Sequence, residues 1–233
     1  MGLSCYMNSL LQCLYYIQDL RDYFIKEKDN FKADKPVCKA LSDVMYGLKY
    51  NKENFFEATK FKEIMGDKNS LFYGEKAGDA KDLFFNLIDS LYSELVDDDK
   101  TDYYEEDNID PFNKLDLFKR HEHEVDKNII INKLFIGFYE TSYFCEKDKR
   151  KITYSFQSES FLLFELEKIN KYFKNNSPKN ELSLDLCFQY YYRLQKNCSF
   201  RCNKCEKIDK NESCEGIYRP PEILVIILDR GHG

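Results

Sequence analysis

A chain of 233 residues with 43% hydrophobic and 16% aromatic residues has the material for one large domain or two small ones, which excludes a disordered chain despite 33% charged residues. Its formal net charge of −6 argues against nonspecific binding to nucleic acid or an anionic membrane and suits a basic partner surface. No apolar run approaches the length needed to span a bilayer.

In chain order, the first stretch to carry information is Met1-Gly-Leu-Ser-Cys-Tyr-Met-Asn-Ser-Leu-Leu-Gln-Cys-Leu14. Met7, Leu10, Leu11, Leu14, Tyr15 and Ile17 recur at three- and four-residue intervals, which predicts one buried face of a helix running from about Cys5 to Phe24. Ser4 is the expected N-cap, its hydroxyl accepting from a first-turn amide. Cys5 then begins the helix, and two readings stay open. Free amides and the positive end of the helix dipole favour thiolate, the nucleophilic form, and can face a developing oxyanion. Alternatively, Cys5 is a small buried hydrophobe. The N-terminus does not read as a signal peptide, because no basic region precedes it and Asn8 and Gln12 interrupt its apolar part.

A charged connection at residues 26–35 leads to a second helical pattern, Val37, Leu41, Val44, Met45 and Leu48, and Phe55–Met65 gives a shorter one. The stripe Leu83, Phe84, Leu87, Ile88, Leu91 and Leu95 predicts a core helix with Asp79 at its cap or in its first turn. Residues 97–110 are an acidic run ending at Pro111, expected to be a solvated loop. His121 and His123 follow in a charged stretch and are expected to be exposed. From Ile129 the pattern changes: Ile129–Gly137, Tyr139–Phe144, Ile152–Phe156 and Phe161–Leu166 read as strands. Leu182–Leu194 reads as a short helix leading into a strand. Pro220-Pro-Glu-Ile-Leu-Val-Ile-Ile-Leu228 reads as a strand buried on both faces. A helical first half and a sheet-rich second half make the fold class α+β.

Three of these stretches carry a resemblance. Gly2-Leu-Ser-Cys-Tyr-Met-Asn-Ser-Leu-Leu-Gln-Cys-Leu14 resembles the cysteine box of the ubiquitin-specific proteases, with Leu3 and Ser4 replacing Asn and Thr. Gly78-Asp-Ala-Lys-Asp82 and the helix after it resemble the family's Gln-Asp-Ala-x-Glu box, with Gly78 in place of the glutamine. Pro220–Arg230 is similar to the family's Pro-Pro-x-Leu-x-Ile-x-Leu-x-Arg strand. The resemblance implies a papain-like cysteine protease fold, with a helical thumb over about 1–127 and fingers plus the first palm strand over about 128–233. It implies a thiol-dependent deubiquitinase cleaving after the C-terminal glycine of ubiquitin. Cys5 would be the nucleophile, its backbone N–H part of the oxyanion hole, and Asp79 would hold ubiquitin's arginine-containing tail.

Nine cysteines, an odd number, read as reduced thiols or metal ligands in a cytosolic or nuclear protein. Cys202-x-x-Cys205 has the spacing of a zinc half-site, and the family resemblance implies its partner pair near Cys145-Glu-Lys-Asp148. Three readings stay open: one structural Zn²⁺ on Cys145, Cys202 and Cys205 with Asp148 or a nearby thiol; a local site of Cys198, Cys202, Cys205 and Cys214; or an empty site. The family's base comes from a Gly-His-Tyr-like box downstream of the last strand, and His232 falls before its place. Its asparagine oxyanion donor precedes the nucleophile and has no counterpart in this chain. Little turnover is therefore expected of these residues alone. The alternative is a noncatalytic ubiquitin-binding protein of the same fold. A cysteine-rich zinc module binding nucleic acid lacks the concentrated basic face that it requires.

Overall fold

The computed structural model describes residues 4–53, 55–75, 77–96, 113–123, 125–145, 151–174, 181–198 and 211–231. The chain divides into two compact units, one of residues 1–101 with 128–131 and one of residues 102–127 with 132–233. Among the described residues no helix is long and apolar enough to cross a membrane.

The first unit is helical: α1 (Cys5–Tyr16), α2 (Gln18–Lys26), α3 (Pro36–Tyr50), α4 (Thr59–Lys68) and α5 (Ala80–Leu95). The single helix expected over Cys5–Phe24 breaks at Ile17, whose backbone is extended at φ −76°, ψ 101°. Burial explains the break. Leu11 and Leu14 are buried in α1, and the next buried positions are Leu20 and Phe24. Leu14 and Leu20 are six apart, a spacing that puts them on different faces of one straight helix. Two segments let both pairs reach the core. That core contains Met7, Leu20, Phe24, Leu41, Met45, Phe61, Met65, Leu83, Leu87 and Leu91, none more than 1% exposed.

The helix α3 has a distinctive start. Its N-cap, Lys35, makes no side-chain cap bond, and Pro36 begins the helix. Proline has no N–H, so the donors left without a helical partner are Val37 and Cys38. Both are fully buried. Glu94, in the last turn of α5, supplies the acceptors: the Val37 N–H donates to Oε1 at 3.1 Å and the Cys38 N–H to Oε2 at 2.8 Å. A carboxylate at the positive end of a helix dipole is well placed, and Lys68 Nζ lies 3.7 Å from Oε1.

The second unit carries α6 (Lys114–His123), β1 (Gly137–Phe144), β2 (Lys151–Glu159), β3 (Leu162–Glu165), β4 (Leu194–Cys198), β5 (Asn211–Arg219) and β6 (Ile226–Asp229). The helix α7 (Ile130–Phe135) spans the boundary between the units in sequence, and α8 (Leu166–Phe173) and α9 (Leu184–Tyr191) follow among the described residues. One sheet is antiparallel in the order β2-β1-β5-β4, and β3 and β6 pair in parallel. Phe118 of α6 packs on the sheet, with ring centroids 5.3 Å from Phe138, 5.3 Å from Phe156 and 4.5 Å from Tyr218. On the β3–β6 pair, Tyr139, Leu162, Phe164, Ile169 and Cys187 form a separate buried cluster.

Three sequence expectations need correcting in this unit. Ile129–Gly137 is mostly the helix α7, because periodicity does not separate a short apolar run in a strand from one in a helix. Both histidines of the 121/123 pair lie on α6, and His121 is half-buried, its ring edge-on to Phe138 at 5.9 Å. The last strand is not buried on both faces: β6 has β3 as its partner among the described residues, and Leu228 is 53% exposed.

Replacing Glu94 by Ala leaves two buried N–H groups without acceptors and is expected to lower the unfolding free energy by about 3 kcal/mol. Glu94→Gln, which keeps one acceptor oxygen, should cost less. Urea denaturation of the three proteins checks the order.

Candidate active site

At the start of α1, Ser4 occupies the N-cap position, but its hydroxyl accepts no amide there. Its carbonyl takes the Asn8 N–H at 2.9 Å, the first bond of the helix ladder. The amides of Cys5, Tyr6 and Met7 therefore have no acceptor among the described residues. The expected serine cap is not made, and three N–H groups stay available at the positive end of the helix.

The Cys5 side chain is exposed, which overturns the reading of a small buried hydrophobe. The reason is its phase. Tyr6, Met7, Leu11 and Leu14 are the buried face of α1, and Cys5 precedes that stripe on the opposite side. The Ser9 hydroxyl donates to the Cys5 carbonyl at 2.8 Å, a contact within the helix.

The start of α5 is built differently. Asp79 is its N-cap at φ −100°, ψ 132°, and Oδ1 accepts the Lys81 N–H at 2.7 Å. The carboxylate is exposed, and its second oxygen has no hydrogen-bond partner among the described residues. One oxygen orders the helix while the other faces outward, so a cationic or N–H-bearing ligand can be taken without uncapping α5.

A contact that sequence reasoning missed links these two starts. A Cβ added at Gly78 would lie 2.6 Å from Cζ and 2.8 Å from Cε2 of the Tyr6 ring, so that ring rests directly against the Gly78 backbone. The same ring stacks on Phe72, centroid to centroid 6.3 Å and interplanar angle 28°. Burial pushes the Tyr6 phenol pKa up. The neighbour of Cys5 thus touches the neighbour of Asp79. The available signal was Gly78 itself, standing where the resembling box has a glutamine.

Other predicted site residues are not gathered here. Among the described residues no histidine is hydrogen-bonded to Cys5. His121 is on α6 in the second unit, and His232 lies outside the described residues. Of the proposed zinc ligands, Asp148, Cys202 and Cys205 also lie outside them. Cys145 is 4% exposed and immediately follows β1. The register puts Phe144 opposite Glu212 and Cys198 opposite Asn211, so the ends of β1 and β4 and the start of β5 share one end of the sheet. Residues 146–150 and 199–210 both connect at that end. Cys214 is opposite Leu194, about 10 Å further along β5 at three residues of strand rise, and its thiol donates to the Tyr192 carbonyl at 3.1 Å. Among the described residues no three potential ligands converge on one point.

Comparison with known proteins places this geometry. The chain matches the family described as ubiquitin carboxyl-terminal hydrolase over residues 1–232. It is 30% identical over 225 residues to ubiquitin carboxyl-terminal hydrolase 12 of Saccharomyces cerevisiae, covering 84% of this chain and 18% of that protein. It is 25% identical over 241 residues to ubiquitin carboxyl-terminal hydrolase 4 of Arabidopsis thaliana, covering 98% of this chain and 62% of that protein. It therefore spans less than two thirds of either relative. Among solved structures, the SAGA DUB module of Ubp8, Sgf11, Sus1 and Sgf73 bound to monoubiquitin aligns with a TM-score of 0.71 at 18% identity, covering 99% of this chain and 46% of that one. The matched fold is the papain-like α+β fold.

The exposures predict an order of thiol reactivity. Cys5 and Cys13 are exposed, whereas Cys38 and Cys187 are buried, with burial raising both thiol pKa values. Brief iodoacetamide treatment of the native protein, followed by peptide mass spectrometry, should modify Cys5 and Cys13 first and leave Cys38 and Cys187 intact until the protein unfolds.

Proposed function

The chain belongs to the ubiquitin carboxyl-terminal hydrolase family, and on that premise we propose that it is a thiol-dependent deubiquitinase with Cys5 as its nucleophile. The observation that carries the proposal is an exposed cysteine at the first position of α1, where three first-turn amides have no acceptor among the described residues. That arrangement suits acyl transfer. The Cys5 thiolate attacks the carbonyl of ubiquitin's terminal glycine, and the negative oxygen of the tetrahedral intermediate is met by first-turn N–H groups. The C–N bond then breaks as the amine takes a proton, leaving a thioester that water hydrolyses.

Asp79 is proposed to receive the tail leading to that glycine. Its outward oxygen is acidic, exposed and already oriented by the cap bond, which supports pairing with an arginine or a backbone N–H of an extended peptide. The solved neighbour's monoubiquitin supports the same partner for this chain.

Proton transfer is the part that these residues do not furnish. No described histidine bonds Cys5, and general acid–base catalysis contributes roughly 10²–10⁴-fold. We therefore expect the 233-residue chain to be labelled by ubiquitin electrophiles faster than it turns over. This same observation favours the second reading, a noncatalytic ubiquitin-binding protein of the same fold.

A structural zinc is proposed for the second unit, held by Cys145, Cys202 and Cys205 with Asp148 or Cys198 as the fourth ligand. The burial of Cys145 at the sheet end where residues 199–210 connect supports this set. The engagement of the Cys214 thiol with Tyr192 makes it the weaker candidate. When bound, zinc would cross-link that end of the sheet. Cys5, Cys13, Cys38 and Cys187, thiols not joined in disulfides, support a reducing compartment, cytoplasm or nucleus.

Two measurements test these proposals. A ubiquitin C-terminal propargylamide probe should label the wild type and not Cys5→Ala, and a fluorogenic ubiquitin conjugate should be hydrolysed slowly at most. Tight ubiquitin binding without labelling would instead establish the noncatalytic reading. Asp79→Asn keeps a good cap while removing the charge, and should weaken ubiquitin binding about tenfold or more at unchanged melting temperature. Metal analysis of the purified protein should find zinc near stoichiometry, and less than about 0.1 equivalent rejects the zinc proposal.

A further inference from the structure

We propose that Tyr6 is a positioning residue: its ring, bracketed by Phe72 and the bare backbone of Gly78, sets the separation between the Cys5 thiol and the Asp79 carboxylate. The proposal rests on Cys5 and Asp79 being the nucleophile and the tail anchor. An extended tail held at Asp79 reaches Cys5 productively only if the gap between the starts of α1 and α5 is correct, because its backbone has a fixed reach per residue. Tyr6 follows Cys5 and Gly78 precedes Asp79, so the contact between them is the shortest structural path from one group to the other.

The contact is tight on the Gly78 side. Any side chain there would bring a Cβ within 2.6 Å of the ring, a distance that forces movement. Tyr6 is only 7% exposed and Phe72 only 3%, so the ring is also held by a buried partner. Relief then comes from parting the two helix starts or from swinging the ring out of its bracket. The first changes the Cys5–Asp79 gap and the second removes the spacer that sets it, each leaving the thiol exposed. Gly78 is therefore selected here for absence of a side chain and not for an unusual backbone angle, since its φ is not in the left-handed region.

The experiment compares two reagents on the same thiol. Gly78→Ala is expected to slow labelling of Cys5 by the ubiquitin propargylamide probe about tenfold, in line with the cost of a sub-ångström to ångström misplacement. Its alkylation by iodoacetamide, which needs no tail alignment, should stay within about twofold of wild type. Combining Gly78→Ala with Tyr6→Leu, which shortens the opposing side chain, should recover part of the lost rate, so that the two substitutions are not additive. Should Gly78→Ala fail to fold, Phe72→Leu loosens the bracket from its other side and should show the same selective slowing. Equal labelling of wild type and variant by the ubiquitin probe, or equal slowing with both reagents, overturns the positioning role alone. A wild type that iodoacetamide modifies at Cys5 but the ubiquitin probe does not overturns the underlying deubiquitinase reading, and the positioning role with it.

Discussion

The first unit depends on a carboxylate placed where a helix could not cap itself. Lys35 offers no side-chain acceptor at the N-cap of α3, and Pro36 removes one donor while committing the chain to a helical φ. Two buried amides remain, and leaving them unpaired would cost more than most single packing contacts return. Glu94 takes both. Because it comes from the last turn of α5, the bond fixes α5 against α3 in both position and direction. The 16 residues of α5 then carry that constraint rigidly to its other end, where Asp79 stands. The same buried face of α3 packs near α1 and α2, and the Ser42 hydroxyl ties it to the Phe24 carbonyl at 2.7 Å. Cys5 and Asp79 are therefore both referenced to the same polar clasp.

Two cysteines in this unit show why a helix start does not by itself make a nucleophile. Cys5 is the first residue of α1 and Cys38 the third of α3, so both sit near the positive end of a dipole. Cys38 is buried and faces Glu94, and burial first, then the carboxylate's charge, pushes its thiol pKa well above the usual range. Desolvation and a neighbouring negative charge outweigh the dipole there. Cys5, by contrast, is exposed, and the amides of its turn have no acceptor among the described residues. The contrast comes from what covers each helix start, a property of the packing and not of local sequence.

In the second unit, aromatic contacts hold α6 on the sheet. Phe118 brings α6 onto Phe138, Phe156 and Tyr218, and the Arg219 guanidinium lies 4.7 Å from the Phe118 ring centroid. Lys114 of α6 pairs with Glu140 of β1, which also accepts the Ser142 hydroxyl at 2.6 Å. These interactions secure one part of the sheet, while Cys145 closes β1 at the end where the two connecting segments meet it.

The sequence by itself determined the helical-then-sheet order, the helix-start position of Cys5 and the capping role of Asp79, because these rest on interactions within four residues along the chain. It also carried the family, through three motifs whose residue identities are required by chemistry. Tertiary structure alone decided the rest. The break at Ile17 follows from which apolar positions find the core. The helical state of residues 130–135 and the half-exposure of β6 depend on what packs beside them, to which periodicity is blind. The Glu94 clasp joins residues 56 and 57 positions apart. The Tyr6–Gly78 contact joins a ring and a backbone 72 positions apart. Local pattern reports which face of an element is apolar; only the assembled fold says what meets that face, and in this protein the exposure of Cys5 and the bracket beside Asp79 are consequences of that meeting.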